Sequence, residues 1–271
     1  MDLTNLQTIK SLLAKYNAWP NKFLGQYFLR DPVVLEEIIG AAEISQNDKI
    51  LEIGPGLGVL TLELARRAQK VVAVEKDKKL AEILENILKQ EKIKNVQIII
   101  GDILKIPDTR YKIQNTPKES LCGDTTGQAK YKVVANLPYY LTARLIRKLL
   151  ELPNPPTEMI LMLQKEVAER ICSRPPKMNL LAVSVQFYGE PQIIAFVSRK
   201  SFWPEPEVDS AIIKIIPHNN RGADAICNSD GRIRISRGRK PSERYSDAFF
   251  KIVRAGFISP RKKLVNNLTG V

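Results

Sequence analysis

Five short runs rich in Val and Ile punctuate the first part of the chain: Ile50 to Ile53, Val71 to Val74, Val96 to Ile100, Val133 to Ala135 and Met159 to Leu163. Each is predominantly apolar and long enough for a strand buried on both faces. Between them, Leu57 to Arg67 and Lys78 to Lys89 carry apolar residues at helical spacing, and Thr142 to Leu150 does the same after a polar cap position. Strand alternating with helix predicts an α/β fold with a doubly wound, mostly parallel sheet. Further on, Leu181 to Phe187, Ile193 to Val197 and Ala211 to Ile216 read as β-type runs with turns between them. They predict antiparallel strands at the end of the sheet.

Two polar stretches interrupt this pattern, residues 109–130 and 218–246. The second sets Arg221, Arg232, Arg234, Arg237, Arg239, Lys240 and Arg244 among Gly, Asn and Ser, with too little apolar surface to order itself. It reads as a solvated linker or as an RNA-binding arm. Beyond it, Phe249, Phe250, Ile252, Val253 and Phe257 fall at near-helical spacing and lead into Arg261-Lys262-Lys263-Leu264, the start of a small helical unit. The expected division is a catalytic domain over residues 1–217 and a basic linker with a short helical domain over residues 218–271.

Composition narrows the class. With 271 residues, 44% hydrophobic and 26% charged, the chain has ample material for a core, and collagen-like, disordered and membrane classes drop out. Forty-two Lys and Arg against 29 Asp and Glu leave a net charge of +13, which favours a polyanionic partner. Nucleic acid comes first; an anionic membrane surface is the competitor, but no basic amphipathic helix supports it. Three cysteines, Cys122, Cys172 and Cys227, form no Cys-x-x-Cys pair. The one histidine, His218, follows Pro217 in a polar stretch and reads as a solvated loop residue, so histidine-based triads and multi-histidine metal sites are disfavoured. No apolar leader or run of about 18 apolar residues occurs, and the expected location is the cytoplasm.

The chemistry lies at the ends of the predicted strands. Gly54-Pro55-Gly56-Leu57-Gly58 follows the first strand and opens a helix, and glycines there let a ligand approach the backbone. Glu75 ends the next strand, where a ribose diol would be held, so loop and carboxylate together imply an adenosine-containing ligand. Asp102, after the third strand, is placed to accept from an adenine amino group while Ile103 covers the ring. The fourth strand ends in Asn136-Leu137-Pro138-Tyr139. An exocyclic adenine amine is a poor nucleophile because its lone pair is delocalised. A catalyst must therefore orient its hydrogens, and the Asn136 side-chain oxygen and Pro138 carbonyl can accept them while Tyr139 stacks on the base. No general base is then needed, and a sulfonium methyl donor needs no metal. The competing reading is a proline turn in which Asn136 caps the helix starting near Thr142.

These residues carry a resemblance. Lys22-Phe23-Leu24-Gly25-Gln26 with Phe28-Leu29, Glu52-Ile53-Gly54-Pro55-Gly56, Glu75-Lys76-Asp77, Gly101-Asp102 and Asn136-Leu137-Pro138-Tyr139 resemble the ribosomal RNA adenine dimethyltransferase family of KsgA type. So do Phe202-Trp203-Pro204-Glu205-Pro206-Glu207-Val208-Asp209-Ser210 and Arg261-Lys262-Lys263-Leu264 with Asn266-Asn267-Leu268. The resemblance implies a Rossmann-like methyltransferase fold with a small helical C-terminal domain. It implies transfer of methyl groups from S-adenosylmethionine to the N6 atoms of two adjacent adenosines near the 3′ end of small-subunit rRNA, on the immature 30S subunit, by a monomer. Tyr27, Leu29, Gly54, Glu75, Asp102 and Asn136 correspond to cofactor contacts. Asn136 to Tyr139 with Phe202 shape the base pocket, with Phe202 either a second stacking face or a core aromatic. Tyr27 stands where bacterial members usually have Asn, the two polar insertions are long for the family, and the C-terminal domain is expected to be short. Basic side chains flanking the pocket, Arg144, Arg147 and Lys148 on one side and Arg254, Arg261, Lys262 and Lys263 on the other, are candidates for RNA contact or ordinary solvated helix faces.

Three other readings share some of these signals. A large-subunit rRNA methyltransferase of the macrolide-resistance type would have the same glycine loop and base pocket, but the Phe202 to Ser210 segment and the Arg-Lys-Lys unit favour the small-subunit reading. A non-catalytic RNA-binding assembly or transcription factor would not need Glu75, Asp102 and Asn136 together. A nicotinamide-dependent oxidoreductase would want a third glycine at a different spacing.

Overall fold

The computed structural model describes residues 1–21, 24–106, 130–138, 141–152, 154–218, 225–227, 233–235 and 243–257. The insertion at 109–130 therefore lies outside the described residues apart from Lys130, as do Tyr139 and Arg261 to Lys263.

Helix α1 (Leu6–Lys15) starts on Asn5, whose side chain accepts the N–H of Gln7 and Thr8. After the short strand β1 (Phe28–Leu29), α2 (Pro32–Ala42) opens on Asp31 followed by proline in its first turn. Then come β2 (Lys49–Ile53), α3 (Val59–Arg67), β3 (Lys70–Glu75), α4 (Lys78–Gln90), β4 (Val96–Ile100), β5 (Lys132–Asn136), α5 (Thr142–Glu151) and β6 (Glu158–Gln164). The five parallel strands fall where the apolar runs predict them. Helices α6 (Lys165–Ile171) and α7 (Leu180–Gln186) follow, then β7 (Gly189–Val197), β8 (Phe202–Trp203) and β9 (Ser210–Pro217).

The main sheet has seven strands in the order β4-β3-β2-β5-β6-β9-β7, with β6–β9 and β9–β7 antiparallel and the other pairs parallel. One element corrects the sequence reading: Leu181 to Phe187 is helix rather than strand, because Asn179 caps it by accepting the Ala182 N–H at 3.0 Å and Val185 and Ala182 turn inward at helical spacing. On one face of the sheet Leu51, Val72, Val133 and Leu161 pack with Leu145, Ile146 and Leu149 of α5. On the other, Ile50, Val71, Val134 and Ile160 pack with α2 and α3. Each such side chain, removed from water, is worth about 1.5–3 kcal/mol.

Part of the stretch read as unable to order itself carries regular structure: β10 (Ala225–Cys227) and β11 (Ile233–Ile235) pair antiparallel, and α8 (Glu243–Phe257) begins within it. Phe249 of α8 stacks on Phe187 at 4.3 Å between centroids, and Phe250 meets Phe187 and Tyr188 at 5.3 and 5.8 Å. His218 is half-buried rather than solvated, because its N–H donates to the Tyr188 carbonyl at 2.8 Å and its ring lies 3.3 Å from the Gln186 carbonyl. Among the described residues, no helix is long and apolar enough to cross a membrane.

Candidate functional site

The direction of winding reverses between β2 and β5, and in open α/β sheets ligands sit at such a switch point, outside the carboxyl ends of the strands. Here Gly54, Glu75, Gly101 and Asn136 stand at the ends of β2, β3, β4 and β5. They line one solvent-open cleft, together with Asp102, Ile103, Tyr27, Pro138 and the loop Leu24 to Gln26. Of the cofactor residues expected from sequence, the fold brings Tyr27, Gly54, Glu75, Asp102, Ile103 and Asn136 to this cleft. Leu29 lies instead in the wall of a second hollow, which shares Tyr27, Phe28, Gly54 and Asn136 with the first.

Gly54 and Gly56 have φ of +69° and +59°, where a side chain is strained, and a Cβ on Gly56 would meet the Phe28 ring at 3.4 Å. The loop therefore presents bare backbone to the cleft. Gly56 serves the site from behind: its N–H donates to Glu75 Oε2 at 3.0 Å, while Asp77 N–H donates to Oε1 at 2.9 Å. Burial pushes the Glu75 carboxyl up; the N–H groups of Asp77, Gly56 and Lys76 draw it back, and the Asp77 charge adds to the rise. With three backbone N–H groups on its two oxygens, the carboxylate keeps lone-pair capacity for a hydroxyl donor. Glu52, one strand over, is pushed up to about 8 by burial, with Thr61 lowering it and Glu75 raising it. Its Oε2 completes no hydrogen bond, and the residue lines the second hollow.

Asp102 faces Lys76, Oδ2 to Nζ 3.6 Å, and its Oδ1 accepts the Leu104 N–H at 3.0 Å. Asn136 does not cap the following helix: the N-cap of α5 is Leu141, with no side-chain cap, so the polar cap position expected from sequence is apolar. The Asn136 amide donates instead from Nδ2 to the Tyr27 carbonyl at 3.4 Å. The Pro138 carbonyl, expected to accept from a target amine, already accepts the Leu141 N–H at 3.0 Å and keeps one lone pair.

Three expected residues go elsewhere. Phe202 pairs with Leu29 across β8 and β1, is 3% exposed, and packs with Val34, Met162 and Ile212; its ring belongs to the core and does not line the cleft. Arg147 is tied to Glu151, Nε to Oε1 2.7 Å, and lies over the Phe250 ring at 5.1 Å, joining α5 to α8 while its side chain stays 41% exposed. Lys148 donates to three backbone carbonyls within the chain. Arg144 and Arg254 are exposed.

Gln26 is a residue the sequence reading assigns no role. Its Oε1 accepts the Asn21 N–H and its Nε2 donates to Asp77 Oδ2, both at 2.8 Å, so it fastens the segment before β1 over the Glu75 end of the cleft. A polar residue between Gly25 and an aromatic pair was the available signal. The apolar lining, Leu24, Leu80 and Leu141, gave none, since such residues look like core. Among the described residues, no three His, Cys, Asp or Glu side chains gather as a metal site.

A bare-backbone glycine cradle and a buried carboxylate with spare acceptor capacity suit S-adenosylmethionine, which brings ribose hydroxyls and an adenine amine.

A family model described as ribosomal RNA adenine dimethylase matches residues 18–226. The ribosomal RNA small subunit methyltransferase A of Dehalococcoides mccartyi is 39% identical over 262 residues, covering 96% of this chain and 78% of that protein. That of Clostridioides difficile is 36% identical over 271 residues, covering 99% and 83%. Among solved structures, a dimethyladenosine transferase from Plasmodium falciparum matches with a TM-score of 0.58 at 32% identity, over 70% of this chain and 62% of that one. The 23S rRNA methyltransferase ErmE matches with a TM-score of 0.64 at 24% identity, over 89% and 83%, a likeness of fold. A model matching most of the chain and relatives this similar along nearly all of it lead to one conclusion: the chain belongs to the ribosomal RNA adenine dimethylase family, in its small-subunit methyltransferase A branch.

Proposed function

We propose that this chain methylates, from S-adenosylmethionine, the N6 amines of two adjacent adenosines near the 3′ end of 16S rRNA during assembly of the small ribosomal subunit. The observation that carries this reading is the meeting of Glu75, Asp102 and Asn136 in one cleft, each from the end of a different parallel strand.

S-adenosylmethionine supplies an activated methyl group on sulfur. Glu75 holds the ribose hydroxyls, with its carboxylate fixed by the Gly56 and Asp77 N–H groups. Asp102 accepts from the adenine amine of the donor and Ile103 covers its ring. At the other end of the cleft the Asn136 Oδ1 and Pro138 carbonyl accept the hydrogens of the target amine. Holding them would draw the nitrogen lone pair out of conjugation, so that it could take the methyl group as the sulfur–methyl bond breaks and S-adenosylhomocysteine leaves. No side chain would have to remove a proton first, since the cationic nitrogen would release it to water afterwards. Tyr139 stacks on the flipped base, which offsets part of the few kcal/mol that unstacking costs.

The test is incubation with labelled S-adenosylmethionine and immature small subunits lacking the modification. Label in small-subunit rRNA is expected; label confined to large-subunit rRNA would instead support the macrolide-resistance type of activity.

A further inference from the structure

Lys148 stands on α5, the helix that follows the Asn136 turn. Its Nζ donates to the carbonyls of Ile103, Leu104 and Ile106 at 3.0, 3.3 and 3.1 Å. An ammonium has three hydrogens and no acceptor, so three carbonyls use its whole donor capacity. They belong to the turn at residues 101–106, in which the Asp102 carbonyl accepts the N–H of Lys105 and Ile106 at 2.8 and 3.0 Å. This is a single turn of helical hydrogen bonding, and a cation beside its carbonyl oxygens matches their partial negative charge. The same turn carries Asp102 and Ile103 into the cleft.

We propose that Lys148 is a positioning residue for the methyl donor. By gathering these carbonyls it sets the attitude of the 101–106 turn, and with it the placement of Asp102 and Ile103 against the donor's adenine. It does so from the helix that continues the target-base turn, so both halves of the active site are braced by one rigid element. The inference rests on the reading of the cleft as the S-adenosylmethionine site. It replaces the phosphate-binding role expected for Lys148, which would require the ammonium to abandon three hydrogen bonds.

The test is calorimetric titration with S-adenosylhomocysteine, which has the adenosine half of the donor, on the full chain and on Lys148→Met and Lys148→Arg, with folding checked by thermal unfolding. Met keeps the length of the side chain and removes its donors; Arg keeps donors. Lys148→Met is expected to weaken binding about tenfold and Lys148→Arg about threefold or less. In an Asp102→Ala background the Met change is expected to add little, because Lys148 acts through the turn that carries Asp102. If the Met variant does not fold, Lys148→Gln takes its place, with a loss between those of Arg and Met. A folded Met or Gln variant with parental affinity overturns the proposal, as does a full, additive loss in the Asp102→Ala background. So does a fall of about one unit in the salt slope of rRNA binding at parental affinity for S-adenosylhomocysteine, the mark of a phosphate contact. Failure of the parent to bind S-adenosylhomocysteine overturns the reading of the cleft, and the role of Lys148 with it.

Discussion

Asn136 and Tyr27, 109 residues apart in sequence, meet where Nδ2 of the first donates to the main-chain carbonyl of the second at 3.4 Å. A carbonyl can only accept, so the amide nitrogen must face Tyr27 and Oδ1 is left as an acceptor in the wall of the cleft. The contact uses the backbone of residue 27, so a tyrosine there, in place of the Asn usual in bacterial members, leaves the Asn136 amide equally well oriented.

Asn136→Ala should therefore retain the fold and lose methyl transfer by about 10²–10³-fold or more, the usual cost of removing one oriented polar group from a reacting centre. Label incorporation into rRNA beside a thermal melt checks it, and a folded variant within a few-fold of the parent counts against the role.

Glu75→Ala should weaken S-adenosylhomocysteine binding by about 1.5–3 kcal/mol for each ribose hydroxyl that no longer finds its acceptor. The carboxylate also holds the N–H groups of Gly56 and Asp77, so the melting temperature should fall as well. Titrating the variant well below its melting temperature separates the two, and an unchanged dissociation constant there sinks the ribose assignment.

Glu52 gives a pH signature. Its carboxyl is raised by burial from the ordinary 4.5 to about 8, so the unfolded chain releases the proton near 4.5 and the folded chain holds it. The contribution of this group to stability is full below pH 4.5, declines as pH rises between the two values, and is gone above about 8. Glu52→Gln lacks this titration, and its stability relative to the parent should rise by about 2–4 kcal/mol between pH 5 and 8. Urea unfolding at several pH values reads it; a difference that stays flat contradicts the buried, protonated carboxyl.

RNA docking should divide unevenly among the basic residues. Arg144 and Arg254 are exposed, whereas Arg147 and Lys148 are tied within the chain. Replacing Arg144 and Arg254 with Gln should flatten the salt dependence of small-subunit binding by about 1.4–1.8 log units if each meets a phosphate. Replacing Arg261, Lys262 and Lys263 should flatten it by about two to three. Cofactor affinity should stay at the parental value in both, and an unaltered slope removes these residues from the interface.

The strands were legible because parallel strands covered on both faces are predominantly apolar, as Val71 to Val74 is throughout and Ile50 to Ile53 is but for Glu52. The same property hid α7: Leu-Leu-Ala-Val-Ser-Val-Gln is too short and too uniformly apolar for its period to separate helix from strand, and the deciding signal was the Asn179 cap. Gly54, Glu75, Asp102 and Asn136 were legible as a site because each sits at the end of a strand, where topology alone brings them together. Phe202, Arg147 and Lys148 were not. An aromatic beside a proline turn has the same local pattern in a core or a pocket, and a cation on an outer helix position looks solvated until its partner arrives from far along the chain. For Lys148 and Ile103 that distance is 45 residues. Gln26 likewise acquires meaning only from Asp77, 51 residues away.

The most direct measurement is nuclease mapping with mass spectrometry of 16S rRNA from immature small subunits incubated with the chain and S-adenosylmethionine. Two adjacent N6,N6-dimethyladenosines near the 3′ end, absent with Asn136→Ala, are the predicted result. An unmodified 3′ region after incubation with a chain that binds S-adenosylhomocysteine, or methylation found only in 23S rRNA, would contradict the account.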